Sequence, residues 1–130
     1  MDPSRLDAIP LFEGFSGRDR EQVARWADEI DLPAGNRLVE EGSFAHEFFV
    51  LLEGTVAVSR GGRHLADLGP GDFFGEIALV ETDRRTATAV TATPVRAVVM
   101  HRRDFAAMDE QFPEVAQRIR QAILERWTPT

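Results

Sequence analysis

A carboxylate and two guanidinium groups bracket a short apolar turn in "DFFGEIALVETDRRTATAV", Asp72 to Val90. Gly75 stands directly before Glu76, and Ile77, Ala78, Leu79 and Val80 follow. A glycine in that place lets backbone approach a ligand closely, and the free N–H groups of a helix start point at an anion. The candidate donors are the amides of Ile77 and Ala78. Arginine adds charge and a planar fork that matches phosphate oxygens. Arg85, nine residues after Glu76, precedes an alternation of small and β-branched residues that reads as a strand.

A carboxylate repels a bound phosphate, so Glu76 does not belong in a pure phosphate site. It fits a ligand that carries a hydroxyl donor beside its phosphate, as a ribose phosphate does. Glu76 would accept from the sugar 2′-hydroxyl while Arg85 holds the phosphate, each charge-assisted hydrogen bond contributing about 1.5–3 kcal/mol. The compact spacing favours a small sugar phosphate in which the two parts are tied together. On the residues alone a second reading stands equal. In it Glu76 is an acid favoured by a helix N-terminus, and Arg84–Arg85 is a solvated turn.

The elements around this stretch run helices, strands, helices. In "SGRDREQVARWADEI" Ser16 is an N-cap, and Val23, Trp26, Ala27 and Ile30 follow at helical spacing. Before it, "IPLFEGF" is a turn or short helix laying Leu11, Phe12 and Phe15 on the core. After "LPAGN", runs of four to seven residues alternate with Gly- and Pro-rich separators: "RLVEE", "EFFVLL", "TVAVSR", "RHLADL", "TATAVTA" and "VRAVVM". Such spacing predicts a small barrel or sandwich, and "SRGGRH" predicts a hairpin whose two glycines take positive φ. "RRDFAAMDEQF" reads as a short helix. Pro113 opens another, striped by Val115, Ile119, Ala122 and Ile123, with Trp127 near its end. The expected fold is α+β, mainly β: an eight-stranded jelly-roll barrel between helices. It forms one domain over 1–130, divided into a helical segment 1–30, a barrel 31–101 holding a cassette at 74–90, and C-terminal helices 102–127.

These residues resemble the cyclic-nucleotide-binding domain family, which includes the bacterial catabolite activator protein, regulatory subunits of cyclic-AMP-dependent protein kinase, and cyclic-nucleotide-gated channels. Its phosphate-binding cassette stands here as "FGEIAL", "VETDR" and "RTATAV", and "IPLFEGFS", "LPAGNRLVEEG", "FFVLLEGTVAV" and "LGPGDFFGE" are similar to the rest of its pattern. The resemblance implies that Phe74 and Gly75 open the cassette and that Glu76 takes the ribose 2′-hydroxyl. It also implies that the Ile77 and Ala78 amides with Arg85 hold the cyclic phosphate, and that Thr86 and Ala87 line the pocket. The last helix would close as a lid, with Ile123 and Trp127 as base contacts. Arg84 stands where the family often has proline, and Ser43 where many members carry an acid. A hydroxyl at Thr86 can reach guanine, yet members that bind cyclic AMP also carry Ser or Thr there. The expected ligand is cyclic AMP rather than cyclic GMP.

The expected role is a sensor that moves its lid helix to signal to a partner or attached effector. The apolar stripe of the last helix also offers a homodimer contact. The tail "PEVAQRIRQAILERW" is similar to that of bacterial cyclic-nucleotide-regulated potassium channels, so a regulatory domain excised from a longer protein is the first alternative. A jelly-roll interaction module without nucleotide is the second. An enzyme of the cupin type needs clustered metal ligands, typically an H-x-H pair. His46, His64 and His101 form no such pair, so no enzyme, metal or cofactor is expected. The net charge of −7 disfavours DNA binding through the domain's general field. No apolar run approaches the ~18 residues that span a bilayer, cysteine is absent, and "MDPSRLDAIP" has no signal-peptide core, so the expected location is the cytoplasm.

Overall fold

The computed structural model describes residues 1–43, 46–75 and 87–126, so Phe44–Ala45, Glu76–Thr86 and 127–130 lie outside the described residues. Two 3-10 turns, Pro3–Leu6 and Pro10–Phe12, precede helix α1, Gly17–Trp26. The second turn buries Leu11 and Phe12, and Phe15 packs edge-on to Phe12 with ring centroids 5.4 Å apart. Ser16 caps α1 as the sequence predicts. Its Oγ accepts from the Asp19 amide at 3.1 Å, and the Asp19 carboxylate accepts from the Ser16 amide at 3.4 Å. This reciprocal capping box satisfies donors that the first helical turn leaves free.

Ile30 does not extend the apolar face of α1. The chain leaves the helix at Ala27 (φ −120°, ψ 157°), and β1 takes Asp28–Leu32. Ile30 falls both seven residues after Val23 and within a polar–apolar alternation, and the strand prevails. β1 is an edge strand whose Asp28, Glu29 and Asp31 face solvent, while Ile30 packs against the barrel interior. Acidic side chains on an edge discourage pairing with another chain.

The other strands are β2, Arg37–Val39; β3, Glu47–Glu53; β4, Val56–Arg60; β5, Arg63–Leu68; β6, Phe73–Phe74; β7, Thr88–Thr91; and β8, Val95–His101. They form two antiparallel four-stranded sheets, ordered β1-β8-β3-β6 and β2-β7-β4-β5. First strand beside last, and second beside seventh, is the jelly-roll order, and the fold is mainly β with flanking helices as the sequence leads one to expect. Gly61 and Gly62, at φ 58° and 77°, make the β4–β5 hairpin turn. The chain closes with α2, Arg102–Gln111, and α3, which starts at Pro113 and runs to Arg126.

β3 and β8 are buried on both faces, which explains their continuous apolar runs. Phe48, Val50, Val98 and Met100 face the helices, packing with Phe12, Val23, Met108 and Ile119. Phe49, Leu51, Ala97 and Val99 face the barrel interior with Val56, Phe74 and Ala89. Arg96 on β8 sits between acids on both neighbouring strands, donating to Asp31 at 2.9 Å and lying 3.9 Å from Glu53. The hydrogen bond to Asp31 is the larger reason that its guanidinium is held above its ordinary range. No helix of the described residues is long and apolar enough to cross a membrane.

Candidate functional site

β6 ends at Phe74 in one sheet and β7 begins at Thr88 in the other, on either side of residues 76–86. The approach to β6 is a tight turn: the Asp72 carboxylate accepts from the Gly69 amide at 2.8 Å, and the Asp72 amide donates to the Gly69 carbonyl at 3.0 Å. Two further backbone bonds, Gly71 amide to Leu51 carbonyl at 2.8 Å and Leu51 amide to Asp72 carbonyl at 2.9 Å, fasten this turn to β3. They set Phe74 opposite Phe49, and the two rings stack with centroids 5.0 Å apart and planes 14° from parallel. Phe74 is therefore a buried wall of the barrel interior. Gly75 follows it at φ 79°, in the left-handed region that a side chain resists. The chain is thus turned at the residue where the sequence reading asked for close backbone approach.

On the far side Ala87 is half-buried, and Thr88 opens β7 opposite Ser59 of β4. β7 lies between β2 and β4, so the returning chain is clamped from both sides. Glu41, just after β2, adds a link across all three. Its backbone amide donates to Thr88 Oγ1 at 3.1 Å, and the Thr88 hydroxyl lies 3.5 Å from Glu41 Oε1. The Gly61 amide in the β4–β5 turn donates to the same carboxylate, at 2.9 Å to Oε1 and 3.2 Å to Oε2. In the sequence Glu41 is the last residue of the run "RLVEE". Its one signal was an acid before the φ-positive Gly42, where a chain turns back toward its neighbours.

Of the residues singled out in the sequence, Phe74, Gly75 and Ala87 are described, whereas Glu76, Ile77, Ala78, Arg84, Arg85 and Thr86 lie outside the described residues, as does Trp127. Ile123 is 1% exposed and packs in the core between the helices and β3 and β8. Its helix is tied down by two ion pairs: Arg118 to Asp19 of α1 at 2.8 Å, and Arg120 to Asp109 of α2 at 2.6 Å. Arg120 also lies over the Phe105 ring, 5.0 Å from its centroid, a favourable cation–π placement. His46 is exposed, and its carbonyl accepts from the Arg102 amide at 2.8 Å, closing the barrel onto α2. Among the described residues no group of three or more His, Asp or Glu side chains gathers as metal ligands.

Known proteins resemble this chain in sequence and in fold. The family profile described as "Cyclic nucleotide-binding domain" matches residues 29–112. A cyclic nucleotide-gated potassium channel of Rhizobium etli is 34% identical over 92% of this chain and 33% of its own length. A cyclic AMP receptor protein of Thermus thermophilus is 30% identical over 92% of this chain and 62% of its own. This chain thus spans about one third of the channel and under two thirds of the receptor. The crystal structure of the N-terminal domain of a transcriptional regulator from Streptomyces coelicolor superposes with a TM-score of 0.79 at 27% identity, covering 97% of this chain and 92% of that one. The family is regulatory rather than catalytic, and the chain belongs to it: it is a cyclic-nucleotide-binding domain.

Proposed function

We propose that the domain senses cyclic AMP, in preference to cyclic GMP, through the cassette at 74–90. Glu76 accepts from the ribose 2′-hydroxyl. Arg85 and the amides of Ile77 and Ala78 hold the cyclic phosphate, and Thr86 and Ala87 line the pocket beside the purine. The observation that carries this reading is the family match over 29–112, which encloses Glu76 and Arg85 in the family's order, on a frame that delivers Gly75 with φ 79°. The preference for cyclic AMP draws support from the cyclic AMP receptor among the relatives.

Binding is coupled to α3, which moves to cap the base with Ile123 and Trp127. In the arrangement described above Ile123 is buried among the helices, so this movement must first expose it. Exposing one such side chain costs about 1.5–3 kcal/mol. The nucleotide shifts the equilibrium only by its differential affinity for the two states, which must exceed that cost. The output passes to an attached segment or a separate effector in the cytoplasm, and the domain does no catalysis itself. A second copy docking along α3 is one route for the signal.

A two-by-two titration tests the assigned roles. Wild type and Glu76→Ala are each titrated with cyclic AMP and with its 2′-deoxy analogue. Wild type loses about ten-fold on the deoxy ligand, since one charge-assisted contact exceeds the 1.4 kcal/mol that a factor of ten requires. Glu76→Ala binds both ligands equally. Equal binding of the two ligands by wild type removes Glu76 from the sugar.

A further inference from the structure

The geometry points to Glu41 as a positioning residue for the nucleotide site. The inference rests on the proposed binding function, and its observation is a set of hydrogen bonds that involves none of the proposed ligand contacts. Glu41 joins three segments that the sequence keeps far apart. Thr88 is 47 residues away and Gly61 is 20. Thr88 is the first residue of β7 and stands three positions after Arg85, so it fixes where the returning cassette rejoins the barrel. The Glu41 amide donates to the Thr88 hydroxyl, both carboxylate oxygens accept from the Gly61 amide, and Oε1 also lies 3.5 Å from the Thr88 hydroxyl.

The bonds are matched to their partners. A turn amide in a hairpin with two φ-positive glycines needs an acceptor, and a carboxylate is a stronger one than water or a neutral side chain. Glu41 is half-buried, and its contacts with Thr88 are partly shielded from solvent competition, while those to the Gly61 amide are exposed. Thr88 is also a half-buried member of this network. Without the carboxylate, β7 keeps its ladder to β2 and β4 and Thr88 keeps the Glu41 amide, but the oxygens that tie Thr88 to the Gly61 turn are gone. A misplacement of about 1 Å at a binding group is enough to lose much of its contact energy. Glu41 therefore acts on the ligand through Thr88 and the cassette, not by touching it.

Calorimetric titration of the whole chain with cyclic AMP and cyclic GMP, with Glu41→Ala, Glu41→Gln, Thr88→Val and the double variant Glu41→Ala/Thr88→Val, tests this. Each is measured well below its melting temperature with far-UV circular dichroism unchanged, so that loss of folded protein does not enter Kd. Glu41→Ala and Thr88→Val each weaken binding about five-fold or more. The double variant is no weaker than Thr88→Val, because Thr88→Val already removes both contacts with Glu41, the one to its backbone amide and the one to its carboxylate. Glu41→Gln, which keeps an acceptor oxygen, recovers most of the affinity. A lowered melting temperature with Kd unchanged would make Glu41 purely structural and overturn the inference. Additive losses would also overturn it. If wild type binds neither nucleotide, the proposed binding function falls and this inference with it; if wild type binds and the Glu41 variants bind equally, this inference alone falls.

Discussion

Gly54, in the β3–β4 turn, is expected to tolerate no side chain. It has φ 88°, and a Cβ placed there would overlap the Pro94 carbonyl oxygen and stand 2.9 Å from Val95 Cγ2 and 3.0 Å from Thr93 Oγ1. Two terms add. Holding an L-residue in the left-handed region costs about 1–2 kcal/mol. Forcing a methyl into filled space costs about 1–3 kcal/mol, toward the upper end here because the nearest obstacle is backbone. That carbonyl cannot swing away cheaply, since Thr55 binds the Thr93 hydroxyl at 2.9 Å and the Ala92 amide binds the Thr55 carbonyl at 2.9 Å. Gly54→Ala should therefore lose about 3 kcal/mol or more, which lowers Tm by roughly 10 °C at about 3–5 °C per kcal/mol for a chain of this size. Gly61→Ala is the control. It too has positive φ, 58°, but nothing lies within 4 Å of its added Cβ. It should lose only the conformational part, about 1–2 kcal/mol. Calorimetric or circular-dichroism melts of the two variants read the difference. If Gly54→Ala melts no lower than Gly61→Ala, the steric reasoning is refuted.

Thr91→Val should destabilise the fold by about 1–3 kcal/mol, because the buried hydroxyl donates to the Pro33 carbonyl at 2.7 Å and accepts from the Asn36 amide at 2.8 Å. Urea unfolding should show a lower midpoint with an unchanged m value; an unchanged midpoint would contradict it. Asp2 should titrate below its ordinary 3.8, chiefly because its carboxylate accepts from the Ser4 amide, at 2.9 Å. With the folded value depressed, its stabilising contribution is present above pH 3.8 and is lost as pH falls through the lower folded value. An NMR carboxyl titration with a midpoint at or above 3.8 would contradict that.

The sequence carried most of the barrel because its turns are chemically marked. Gly61–Gly62, Gly54 and the "GPGD" turn stand where the chain reverses, and the six runs between such marks became β2, β3, β4, β5, β7 and β8. β1 was hidden because no glycine or proline separates it from α1, and Ile30 satisfied the helical period by coincidence. β6 is two residues long, too short to show any period, and only its pairing with β3 makes it a strand. Periodicity placed Val115, Ile119 and Ile123 on one face of α3 but could not say what that face meets; in the fold it meets the helical core. The turn at Gly75 was legible from its residue type, and it has φ 79°. Glu41 was not, because its partners lie 20 and 47 residues away and exist only once the sheets close.

Everything proposed for this domain depends on its binding a cyclic nucleotide through residues 74–90. Calorimetric titration of wild type and of Arg85→Ala with cyclic AMP and cyclic GMP tests it most directly. Wild type should bind at least one nucleotide saturably, cyclic AMP the more tightly, and Arg85→Ala should lose about ten-fold or more. Neither nucleotide binding at millimolar concentration, or Arg85→Ala binding as tightly as wild type, would contradict it.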